Sequence, residues 1–183
     1  VRGGELRVAA IGPGVGEAAS LRSELKAAGF AQLSPSIYVG LGPFPEALEE
    51  RDGLFLLAPK ERDAPELATA AFGVGEVAKA YSDFIGLFSP LALWLRTATP
   101  SDAEALIART LLIHHFRRVV LRDPGLPHSL LPADWPGEPA RALAAEIYAG
   151  VVPGSERFLD AHALSEDGAL PPPKPQFHKR FSR

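Results

Sequence analysis

Apolar residues are spaced in two different ways along this chain, and the change falls near residue 65. Before it they come in short runs of strand length. Glu5 to Ile11 (ELRVAAI) predicts a buried strand, stopped by Gly12-Pro13-Gly14. Gly16 to Phe30 predicts a helix: Ala18, Leu21, Leu25 and Ala28 recur at helical spacing, Arg22, Glu24 and Lys26 face elsewhere, and Gly29 provides a stop. Leu33 to Leu41 alternates and carries Ile37, Tyr38 and Val39, which predicts one further strand. A short acidic helix over Pro45 to Arg51 and a buried strand over Gly53 to Ala58 complete a β-α-β-α-β series.

Beyond Pro65 the apolar spacing is helical. Leu67, Ala71, Val74, Val77, Tyr81, Phe84, Ile85 and Phe88 form a stripe interrupted near Gly73–Gly75. Thr99-Pro100-Ser101-Asp102 is a helix entry with Ser101 or Thr99 able to cap, and an amphipathic helix follows to about Val120. Pro139 to Leu164 predicts one or two more helices. The expected class is α+β, a ferredoxin-like α/β sandwich followed by an all-helical domain, since the first part is too short for a doubly wound sheet. The expected divisions are 1–65 (extending to about 75), 66–164, and a Pro-rich extended or disordered tail over 165–183.

Composition narrows the function classes. The net charge of −3 gives no global case for nucleic-acid binding, and Lys and Arg are densest at Arg117–Arg118 and Lys179–Arg180. No apolar run reaches the roughly 18 residues that span a bilayer, and no segment has the order of a signal peptide. With no cysteine there is no disulfide framework, thiolate metal site or Cys nucleophile, so a cytoplasmic location is the expectation. Methionine is absent even at position 1, which is met either by processing of one residue or by Val1 lying inside a longer polypeptide.

Few residues carry recognisable chemistry. Gly12-Pro13-Gly14-Val15-Gly16 stands where a dinucleotide loop would, but Glu17 occupies the third glycine position and there is no GK[ST], so it is read as a tight turn. His114 and His115 point about 100° apart on a helix and do not share a metal. His114, Arg117 and Arg118 fall within one helical turn, which suits either a phosphate or carboxylate ligand or an internal salt bridge. No serine lies in a GxSxG elbow and no carboxylate pair is marked out, so no catalytic residue and no resident metal or cofactor is expected.

The stretch from His114 to Gly137 is unusual: Pro124, Pro127, Pro132 and Pro136 leave little room for regular structure, yet Leu121, Leu126, Leu130, Leu131 and Trp135 make it too apolar for a linker. Its words LRDP, LP and LLPADWPG, followed by Ala140-Arg141 and Ile147-Tyr148, closely resemble the C-terminal region of the PaaX family of transcriptional repressors. Upstream, GFAQLSPSIYV (Gly29–Val39) is similar to the segment entering the second strand of that family's middle domain, and Tyr81 and Phe84 match a recurrent Tyr-x-x-Phe. The resemblance covers almost the whole chain except the tail.

It implies a repressor of phenylacetate catabolism with a winged-helix reader of operator DNA, a Cas2-like ferredoxin-like middle domain and a helical C-terminal domain. It also implies a homodimer that releases DNA on binding phenylacetyl-CoA or a related acyl-CoA. The reader is expected upstream of this chain. On that reading His114, Arg117, Arg118 and Arg122 would meet the charge of the effector, with Phe116 and Trp135 for apolar contact. A rival reading makes the region a non-sensing interaction module. A Cas2-like nuclease is the remoter alternative, because the first strand ends Ala10-Ile11-Gly12-Pro13 with no carboxylate for a metal.

Overall fold

The structure is a computed structural model that describes residues 5–165, 168–169 and 181. It divides into two compact units: one comprises residues 1–76 and 123–134, the other 77–122 and 135–183.

The first unit holds strands β1 (Leu6–Ile11), β2 (Ala31–Ser34), β3 (Ile37–Leu41) and β4 (Leu54–Leu57), with helices α1 (Ala18–Ala27), α2 (Glu46–Glu49) and α3 (Ala64–Phe72). The strands form one sheet in the order β2-β3-β1-β4, every neighbour antiparallel. The single strand expected over Leu33–Leu41 is in fact a hairpin. Pro35 and Ser36 make a tight turn inside it, and the apolar alternation runs on across that turn because both arms share one buried face. The series is thus β-α-β-β-α-β.

Strand alternation sends Ala9, Ile11, Tyr38, Leu54 and Leu56 to one face, where they pack with Leu21, Leu25, Phe30 and Leu48. Leu21 and Leu25 of α1 are fully buried, each contributing about 2 kcal/mol. The opposite face is covered over β2 and β3 by α3, while Phe55 and Leu57 on β4 stay exposed. Tyr38 has a buried hydroxyl without a hydrogen-bond partner among the described residues. An unmade buried hydrogen bond costs more than an absent one. Tyr38→Phe is therefore expected to raise stability by about 1 kcal/mol, seen as a higher thermal midpoint; a lower one would show that the hydroxyl is satisfied in solution.

The second unit is built from α4 (Val74–Leu95, its first turn in the sheet unit), α5 (Asp102–Val120) and α6 (Gly137–His162). Gly73, at φ +62°, separates α3 from α4 at the break expected from the sequence. Ser101 caps α5: its Oγ accepts from the Glu104 N–H, and the Glu104 carboxylate accepts from the Ser101 N–H at 2.8 Å. The Ser101 hydroxyl, then its backbone N–H, holds the Glu104 carboxyl below its ordinary range. Both α4 and α6 continue through an internal proline, Pro90 and Pro153, and the region of one or two expected helices is one helix of 26 residues.

Helices α5 and α6 form the seam of this unit. Ala105, Leu112 and Phe116 are buried on one side of it, and Ala144, Ile147, Val151 and Gly154 on the other. Gly154 fixes the spacing: a Cβ there would stand 2.9 Å from the Ala105 Cβ and 3.2 Å from an Asp102 carboxylate oxygen. Alanine would gain about 1 kcal/mol in helix propensity but meet an unyielding methyl, and overpacking costs about 1–3 kcal/mol. Gly154→Ala is expected to lower the urea midpoint at an unchanged slope, and an increase would show that the helices part freely.

Leu164–Ser165 pairs with Gly168–Ala169 in a minimal hairpin. Most of the tail expected to be extended or disordered lies outside the described residues.

Candidate functional site

Three of the six predicted site residues come together. His114, Arg117 and Arg118 line a groove of about 480 Å³ along α5, beside the apolar surfaces of Leu106, Ile113, Leu121 and Leu159. The helix places them there by spacing, since positions 114, 117 and 118 lie on adjoining faces of one turn. All three are exposed, and with described residues neither arginine makes an ion pair. They stand in the last turns of α5, where the helix dipole favours positive charge.

Sequence reasoning missed a fourth basic residue, Arg109, which lines the same groove one turn earlier. Its side chain is mostly buried, donates to the Ser155 hydroxyl at 2.9 Å and pairs with Glu156. Its guanidinium lies 5.9 Å from the centre of the Tyr148 ring. Nothing near Arg109 in sequence signals this, because its partners come from α6.

The other three predicted residues lie elsewhere in the helical unit. Arg122 faces a smaller groove of about 220 Å³ with His115, Phe84 and Leu87, which Arg118 also borders. Phe116 is buried, edge-on to Phe84 at 5.4 Å, and Trp135 is buried, edge-on to Tyr81 at 5.6 Å. Both rings pack against a neighbouring ring of α4. Phe116 also meets the ring of Phe181 at 5.4 Å, and Tyr148 meets that ring at 4.9 Å.

The groove is cationic with an apolar floor, a combination suited to a ligand that carries anionic groups on an apolar frame. Among the described residues no group of three metal-ligating side chains occurs, and no helix is long and apolar enough to cross a membrane.

Fold and site define an α+β chain with a helical unit that carries a basic groove. Residues 72–161 match the PaaX-like protein C-terminal domain, and this stretch of the chain belongs to that domain family. The chain is 41% identical over 103 residues to the transcriptional repressor PaaX of Escherichia coli (strain K12), a match covering 55% of this chain and 33% of that protein. The chain thus spans about a third of the curated relative it matches. The solved structure of the uncharacterized protein Rv0674 from Mycobacterium tuberculosis is similar at a TM-score of 0.46 and 19% identity, over 84% of this chain and 63% of that one.

Proposed function

We propose that this chain is the effector-sensing and dimerising portion of a PaaX-type transcriptional repressor rather than an enzyme. It acts in the cytoplasm on the control of phenylacetate catabolism. The likeness to a repressor supports the class, and the groove of His114, Arg117 and Arg118 supports the sensing role. The antiparallel β2-β3-β1-β4 order within a β-α-β-β-α-β series supports a ferredoxin-like, Cas2-like reading of the sheet unit. Operator DNA would be read by a winged-helix domain outside this chain.

The ligand is phenylacetyl-CoA or a related acyl-CoA. Its phosphates would meet Arg117, Arg118 and His114, with Arg109 deeper in the groove, and its apolar arm would lie on Leu106, Ile113 and Leu159. Binding shifts the repressor away from its DNA-bound arrangement only in so far as the ligand prefers one arrangement over the other. The carrying observation is that Arg117 and Arg118 are exposed on an apolar groove without a described carboxylate partner. An interaction module held by these arginines would instead show them paired within the protein. The buried Trp135 fits the packing role that such a module assigns to it. Calorimetry of the folded chain with phenylacetyl-CoA tests the reading: heat of binding is expected, and its absence for every acyl-CoA would sink it.

A further inference from the structure

The ring of Phe181 lies edge-on to two rings of the helical unit, Phe116 at 5.4 Å and Tyr148 at 4.9 Å. Behind them Phe84 closes on Phe116, also at 5.4 Å. Phe116 and Tyr148 are both buried, whereas Phe181 remains half-exposed. Phe181 does not belong to α4, α5 or α6; its ring is supplied from near the C-terminal end of the chain into a slot whose walls are fixed by helices. A slot of this shape accepts a flat ring edge-on, the geometry that ring quadrupoles favour.

Two cations flank the slot. The Arg141 guanidinium stands 5.8 Å from the centre of Phe116, and that of Arg109 stands 5.9 Å from the centre of Tyr148. Arg109 also lines the basic groove. Arg109 is therefore common to both, lining the groove and standing over the Tyr148 ring of the slot.

We infer that this slot is the subsite for the aromatic ring of a ligand whose anionic part lies in the groove, and that Phe181 is its built-in competitor. The inference rests on the groove reading above and adds the ligand's ring and its rival. A planar ring on a short apolar stem reproduces what the Phe181 side chain presents. A longer aliphatic group would lose the two edge-on contacts. Because Phe181 is tethered, it competes at a high effective concentration, so a free ligand binds only by displacing it.

The test compares two thioesters on the full chain, phenylacetyl-CoA with a ring and acetyl-CoA without one, by calorimetry on the wild type and on Phe181→Ala. Emptying the slot is expected to tighten phenylacetyl-CoA roughly tenfold and to leave acetyl-CoA unchanged. Phe181→Leu, which keeps an apolar anchor but no flat ring, is expected to move the ratio in the same direction by less, and it serves if the alanine variant is poorly folded. If both thioesters bind but their ratio is the same in all three proteins, the subsite is overturned while the groove stands. If neither binds any of the three, the groove reading falls and the subsite with it.

Discussion

Tyr81→Ala is expected to destabilise the helical unit by about 3–5 kcal/mol, the range for deleting a large buried ring. Tyr81 is 1% exposed on α4, and its ring meets the edge of Trp135 at 5.6 Å. Trp135 belongs to the LLPADWPG word, just before α6 begins at Gly137. The pair fixes where the irregular segment ends and the last helix starts. Removing either ring leaves the other beside a cavity that a proline-stiffened backbone cannot close. The losses should therefore be less than additive: a double-mutant cycle of Tyr81→Ala with Trp135→Ala should give a coupling of about 1 kcal/mol, the worth of one edge-on pair. Denaturant unfolding followed by helical circular dichroism measures it. A loss below about 1 kcal/mol for Tyr81→Ala would show that this ring is not part of the cooperative core.

Arg117→Ala with Arg118→Ala separates binding from stability. Both side chains are exposed and have no ion pair with described residues, so their loss should move the unfolding midpoint very little, within about 0.5 kcal/mol. Affinity for an acyl-CoA should fall by about 2 kcal/mol, roughly 30-fold, since two exposed cations facing phosphates contribute about 1 kcal/mol each. The wild-type affinity should also weaken as salt is raised, and the variant's should weaken less. A variant that binds as well as the wild type would place the phosphates elsewhere. Arg109→Ala gives a useful contrast, because it also breaks the pair with Glu156 and the bond to buried Ser155, and should lose stability together with affinity.

Much of the fold was legible in local signals. Ser101 and Glu104 stand three apart and form the capping box, Gly73 stops α3, and the spacing of Leu21 and Leu25 sets the buried face of α1. Three features went unread for identifiable reasons. The turn at Pro35-Ser36 is hidden by an apolar alternation that runs through both arms of the hairpin. Pro90 and Pro153 carry a breaker signal, but the packing of long helices outweighs the bond each proline removes. Of the site, His114, Arg117 and Arg118 were legible because helical spacing is local. Arg109 was not, because its meaning depends on Ser155 and Glu156, 46 and 47 residues away. Phe181 was masked by its setting, since a proline-rich stretch gives no periodic cue for one ring contact.

The return of residues 123–134 to the sheet unit bears on how this protein can be dissected. The stretch matched to the C-terminal domain family, 72–161, contains these residues, yet Leu126 and Leu130 are buried with the sheet unit and the 3-10 turn at His128–Leu130 lies on α3. A recombinant fragment cut at the family boundary would carry two leucines stripped of their cover, on an irregular stretch in the middle of the fragment. Neither unit is a continuous length of chain, so a soluble version of the helical unit needs those twelve positions replaced by a short polar bridge, and no single cut can free it.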